Sequence, residues 1–171
     1  MISVKITNSD QVCEKLDSIS EIKVLEKGVG KAATFVQDIA KLGAHVNTGE
    51  LREKIFADTE TKGLEVKGIV YTNVPQAIYQ EFGTGPEGAA NHAGISPEAN
   101  PAYTLQPWWV HESQVLTSDA EMYHWPYIDT EDGRFYYIDG QAADPFLYPA
   151  LKNHEEEVLE LIINELRNAM R

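Results

Sequence analysis

Residues 20–43 read SEIKVLEKGVGKAATFVQDIAKLG, and their apolar positions carry the first decision about the fold. Ile22, Leu25, Val29, Ala32/Ala33, Val36 and Ile39/Ala40 recur at i, i+3, i+4 and i+7, the spacing of one helical face. Ser20 stands where a helix start is capped, and Gly43 follows the last periodic residue as a stop. The spacing predicts a helix of about 22 residues, roughly 33 Å long, interrupted only by Gly28 and Gly30. A second such pattern runs from about Pro149 to Met170. Leu151, Val158, Leu161/Ile162, Leu166 and Ala169 hold one face there, and Glu155–Glu157 load the end where the helix dipole favours anions.

Between and before these helices the signals are shorter. Residues 2–6 (ISVKI) alternate like a strand, and Ser9-Asp10 open a weak helical stretch through Leu16. The segment His45–Phe56 begins with the turn chemistry of Asn47-Thr48-Gly49, after which Leu51 and Ile55 share one face of a short helix. Residues 64–72 (LEVKGIVYT) read as a strand. Pro75–Phe82 forms a short helical or extended piece stopped by Gly83-Thr84-Gly85. His124–Asp129 and Arg134–Asp139 flank Thr130-Glu131-Asp132-Gly133 as a hairpin. The order gives an α+β fold, with long N- and C-terminal helices covering a small antiparallel sheet. At 171 residues the chain suits a single domain, its core at about 1–85 and 140–171 and an insert at about 86–139.

The charge singles out that insert. The chain carries 27 acids and 14 bases, a net of −13. Residues 85–144 contribute −9 of it: Glu87, Glu98, Glu112, Asp119, Glu121, Asp129, Glu131, Asp132, Asp139 and Asp144 against Arg134 alone. The same stretch holds Trp108, Trp109 and Trp125 and five of the eight tyrosines. So acidic a chain is a poor non-specific binder of nucleic acid or anionic membrane, since phosphate binding depends on Lys and Arg displacing counterions. The insert is a solvated acidic loop or a protein contact surface, for which Trp and Tyr are suited. Its candidate contact or channel residues are Trp108, Trp109, Trp125, Asp129, Glu131 and Asp132.

Enzyme templates fail on spacing. There is no G-x-S-x-G, no G-x-x-x-x-G-K-[ST] and no H-E-x-x-H; His111-Glu112 starts the last, but Val115 stands where its second His belongs. The five histidines are scattered singly, and the lone Cys13 builds neither a zinc site with them nor an intramolecular disulfide, which fits a reducing compartment. Residues 1–11 lack a basic segment followed by an apolar one, so no signal peptide is expected, and no apolar run is long enough for a membrane span. No cofactor or metal is expected, and no catalytic step.

Three phrases in order carry a family likeness: Val46-Asn47-Thr48-Gly49-Glu50-Leu51-Arg52, Tyr79-Gln80-Glu81-Phe82-Gly83-Thr84-Gly85-Pro86, and Asp144-Pro145-Phe146-Leu147-Tyr148-Pro149-Ala150-Leu151. With a helix before and a helix after, the chain resembles the small neck or tail-completion proteins of long-tailed bacteriophages, typified by gene product ten of the Hong Kong ninety-seven phage. The resemblance covers about residues 20–85 and 140–171. It departs at Tyr148, where a basic residue is common, and in the length of the stretch between Gly85 and Asp139. The positions it marks as structural or assembly residues are Thr48, Gly49, Leu51, Arg52, Glu81, Phe82, Gly83, Thr84, Gly85, Pro145, Phe146, Leu147, Pro149, Ala150 and Leu151. Thr48-Gly49 would turn the chain, Gly83 and Gly85 would turn at positive φ, and Pro145 and Pro149 would fix the approach to the final helix.

The resemblance implies a non-enzymatic virion structural protein of the head–tail junction. It would form a ring, hexameric or dodecameric, joining a head-completion or connector protein to the tail tube or tail terminator. DNA would pass through without specific binding, and no membrane is involved. Its place would be the virion neck or tail, after assembly in the host cytoplasm. An insert facing the channel would repel DNA; an insert facing a neighbouring ring would bind it through Trp and Tyr. Two readings of other classes are an acidic protein-binding module, such as a DNA-mimic inhibitor of a basic protein, and a hydrolase using Asp, Glu and His of the insert.

Overall fold

The structure, a computed structural model, describes residues 22–45 and 49–170. The expected strand at 2–6, the weak helix after Ser9, Ser20 and Thr48 lie outside the described residues, as does Cys13. Contacts of the described residues group into two compact units, those up to residue 73 with those from 149 on, and residues 74–148.

The first unit is built on helix α1 (Ile22–Gly43). Its buried positions, Gly28, Ala32, Ala33, Val36 and Ala40, continue the stripe that the periodicity predicts, but they are small. Small residues permit close approach, and two neighbours use it. One is the hairpin of β1 (Ile55–Lys62) and β2 (Glu65–Thr72), paired from Ile55↔Thr72 to Lys62↔Glu65. A Cβ on Gly68 of β2 would stand 3.1 Å from a Val29 methyl and 3.3 Å from the Ala33 Cβ. The other neighbour is helix α7 (Glu155–Ala169), which crosses at Gly28, where an added Cβ would lie 3.3 Å from the Ile162 Cα. The glycines that interrupt the helical pattern thus have separate explanations. Gly28 is a notch for a crossing helix, whereas a Cβ on Gly30 would meet only a Thr59 methyl, at 3.8 Å.

Two expectations need correction in this unit. Helix α2 is a single turn, Glu50–Glu53, so Leu51 and Ile55 do not share a helical face. Ile55 opens β1, is fully buried, and its carbonyl accepts a hydrogen bond from the Gln37 side chain at 2.6 Å. Strand β1 itself has no apolar alternation, because Ala57, Thr59 and Thr61 share the face of Ile55 against α1 and Phe56, Asp58 and Glu60 point the other way. The final helix is also broken. Helix α6 (Leu147–Lys152) stops before α7, and His154 between them leaves helical geometry at φ −127°, its ring edge-on to Phe35 with centroids 5.8 Å apart.

The second unit runs from α3 (Gln76–Phe82) and α4 (Gly85–Ala90) through a three-stranded antiparallel sheet. The strands are β3 (Trp108–His111), β4 (Tyr127–Thr130) and β5 (Gly133–Ile138), in the order β3-β5-β4, with α5 (Thr117–Met122) between β3 and β4 in sequence. The hairpin expected around Thr130–Gly133 is β4–β5, with Asp129 opposite Arg134. Helices and small antiparallel sheets together make the chain α+β, with long helices near both of its ends.

Candidate assembly interface

Two of the three marked phrases meet inside the second unit, and Glu81 joins them. Its side chain is buried at 5% exposure, and its carboxylate accepts the backbone N–H groups of Phe146, Leu147 and Tyr148 at 2.8, 2.8 and 2.9 Å. Those are the unpaired donors at the start of α6, where the helix dipole also favours an anion. Beside it, Asp144 N–H donates to the Gln80 carbonyl at 2.8 Å, and the Gln80 amide returns a bond to the Asp144 carbonyl at 3.2 Å. Thr84 and Gln141 exchange both backbone bonds, at 2.9 and 3.1 Å, and the Gln141 amide reaches the Tyr79 carbonyl at 2.7 Å. Phe146 packs beneath at 3% exposure.

The glycines of the phrase allow this approach. Gly83 and Gly85 both sit at positive φ, 74° and 64°. A Cβ on Gly83 would stand 2.7 Å from both the Ala143 nitrogen and the Gln141 oxygen, so the turn needs glycine for conformation and for space. The sequence marks Glu81 as a motif residue without saying what it does. Its signal was the absence of any Ser, Thr, Asp or Asn cap directly before Leu147: Pro145-Phe146 leaves that helix start to be capped from a distance.

The remaining phrase lies in the first unit. Gly49 takes the left-handed conformation at φ 80° just before α2, and Leu51 is buried at 8% exposure. Arg52 is half-buried, and its Nε is buried without a hydrogen-bond partner. Ala150 is buried, Pro149 is half-buried in the first turn of α6, and Leu151 is exposed.

The aromatic insert residues divide by the register of the sheet. Trp109 lies opposite Tyr137, their rings 5.0 Å apart, while Phe135, opposite both His111 and Ile128, lies on the same face. That face stays open, with Trp109 47%, Ile128 47% and Tyr137 38% exposed. The other face closes over Tyr136, at 5% exposure, which Trp125 and Tyr127 approach edge-on at 6.3 and 6.2 Å. Adjacent tryptophans therefore serve opposite sides: Trp108 turns toward Gly85 and lines a cleft of about 780 Å³ together with Ile78, Tyr79, Phe82, Pro101 and Tyr103.

The acids also divide. Asp129 is bound by Arg134 at 2.7 and 3.2 Å, and Arg134 stacks 3.9 Å above the Tyr127 ring. The guanidinium bond holds the Asp129 carboxyl below the usual carboxylate range and keeps Arg134 protonated. Glu131 and Asp132 sit exposed at the β4–β5 turn, the Asp132 carbonyl 2.9 Å from His111 Nε2. Among the described residues no group of three or more His, Cys, Asp or Glu could hold a metal ion, and no helix is long and apolar enough to cross a membrane.

Residues 10–83 match the HK97-gp10-like family, whose description is "Bacteriophage HK97-gp10, putative tail-component". That stretch takes in the first marked phrase and the second through Gly83; the third phrase and the acidic insert lie beyond it. No curated protein and no solved structure matches the chain. The match supports a phage structural role and a place in the virion.

Proposed function

We propose, proceeding from the HK97-gp10-like character of residues 10–83, that the chain is a non-enzymatic tail component completing the junction between phage head and tail. The family match carries this reading. The protein would act by assembling as a hexameric or dodecameric ring between a head-side connector and the tail tube or its terminator, with DNA passing through unbound. Mass spectrometry of purified particles with a reconstruction of the neck tests it. Copies of the chain ringed at the head–tail junction are the expected result, and its absence from particles would end the proposal.

Of the two placements for the insert, contact with a neighbouring ring has the better support. The open face of Trp109, Ile128 and Tyr137 is apolar, and a channel facing DNA has no use for it. Asp129 is engaged by Arg134, which leaves Glu131 and Asp132 as the acids at that turn for repelling DNA. Under the contact reading, neutralising Glu131 and Asp132 leaves genome retention unchanged. The family-marked residues act mainly by holding the fold. The chain is proposed to be one domain, with core at about 1–85 and 140–171, so Trp fluorescence from the insert and helical circular dichroism should follow a single unfolding transition.

A further inference from the structure

We infer that the cleft beside the Phe82–Gly85 turn receives an extended apolar segment flanked by lysine or arginine, supplied by a different virion protein; this rests on the tail-component reading. The lining holds no charged side chain: Ile78, Tyr79, Phe82, Pro101, Tyr103 and Trp108 dominate it. Ile78 and Tyr79 stand 60% and 53% exposed on the outer side of α3, a large apolar surface for water to cover. Gly85 lines it where only glycine fits: a Cβ there would stand 2.5 Å from the Asp139 oxygen and 2.9 Å from the Trp108 ring.

The far lip suits an extended partner. Among the described residues, no backbone–backbone hydrogen bond involves residues 100–106, although the lip is fixed by the Tyr103 hydroxyl donating to the Phe82 carbonyl at 2.7 Å. Tyr103 also stacks on His92, with centroids 5.8 Å apart, and burial pushes its phenol above the usual range. Backbone groups of this lip that pair with no other backbone are left for an extended segment to bond, while the cleft beside it takes the side chains. The volume of about 780 Å³ suits the anchors of a short peptide.

Charge selects the partner. Exposed Glu98 adjoins the lining residue Ala99, and exposed Asp139 stands two residues before the lining residue Gln141. Arg134 is the one base in residues 74–148, and Asp129 holds it. The 74–148 unit of a second copy would bring the same acid excess to this surface, whereas a segment with basic flanks complements it.

The test places a benzophenone photo-crosslinker at position 78 of the full chain within assembled particles. The expected product joins position 78 to another virion protein through an apolar peptide bordered by Lys or Arg. Glu98→Gln with Asp139→Asn should then cut the crosslink yield severalfold at low salt and much less at high salt. Crosslinks only between copies of this chain, or none at all, in particles that contain the chain would overturn the cleft inference and leave the tail-component reading standing. Particles lacking the chain would remove both. Ile78→Glu is the second variant. It should abolish the crosslink of a probe at position 102 while circular dichroism stays unchanged, and an undiminished crosslink would count against the cleft.

Discussion

The two compact units are held together by different physics. In residues 22–73 with 149–170, helix α1 lies against a hairpin and a second helix through Gly28, Ala32, Ala33 and Gly68, so stability depends on how little side chain stands between backbones. In residues 74–148, α3 is tied to residues 141–148 by polar groups reaching the other segment's backbone, with Glu81, Gln80 and Gln141 as the ties. One unit should fail when something is added and the other when something is removed.

The sharpest break of the second kind is Glu81→Ala. It leaves three N–H groups without their acceptor at the start of α6, and losing a buried partner costs roughly 1–3 kcal/mol per group before water repairs some of it. A loss of about 3 kcal/mol is expected by chemical denaturation, with Glu81→Gln losing less because one acceptor oxygen remains. A change within about 0.5 kcal/mol for Glu81→Ala would show that the cap is replaceable by solvent.

The matching break of the first kind is Gly28→Leu. The Ile162 Cα is 3.3 Å from where the new Cβ would sit, and a backbone cannot retreat as a side-chain tip does. Overpacking of this kind costs about 2 kcal/mol. Gly30→Ala is the control. With only a Thr59 methyl at 3.8 Å, it should raise the melting temperature through the roughly 1 kcal/mol that alanine gains over glycine in a helix. Equal losses at both positions would mean that helix crossing is not what Gly28 serves.

The same difference decides what could be read from sequence. Helix α1 was legible because its small residues still keep a 3.6-residue period. Strand β1 was not, since the helix packed on it demands Ala57 and Thr59 where a strand signal would want Val or Ile. The break at His154 was hidden because the apolar period of the final helix continues across it. In the second unit, the phrases containing Glu81 and Phe146 were visible, but their meeting was not: 65 positions separate the two residues, and a buried carboxylate capping a distant helix leaves no local period. The Asp129–Arg134 pair was legible only as two ends of a hairpin, so its acids counted as one cluster when one of them is already neutralised.

Acid tests the polar exception within the first unit. Glu165 is buried at 8% exposure between Lys31 and Lys27, the latter at 2.9 Å, and the hydrogen bond from Lys31, then that from Lys27, lowers its carboxyl below the usual range. A carboxyl lowered by folding adds stability that is present above its unfolded pKa and lost as pH falls through its folded one. Glu165→Gln should therefore lose stability at about pH 7 and lose less further stability than the parent on acidification to about pH 3. Parallel pH curves for the two proteins would mean that the lysines contribute nothing through this charge.

The smallest expected effect on folding belongs to Trp109→Ala, and it separates folding from assembly most cleanly. Trp109 is 47% exposed and contacts Tyr137 across the strands, a cross-strand pair contributing less than about 1 kcal/mol. Its neighbour Val110 pairs with Tyr136, on the face that closes over Tyr136, so a one-residue step along β3 passes from the open face to the closed one. Tyr136→Ala should accordingly unfold the sheet well before Trp109→Ala does. If the open face meets a neighbouring ring, Trp109→Ala will leave melting almost unchanged while heads and tails fail to join. Normal particles from a stable Trp109→Ala protein would return the open face to solvent, and the contact would then have to lie at the cleft.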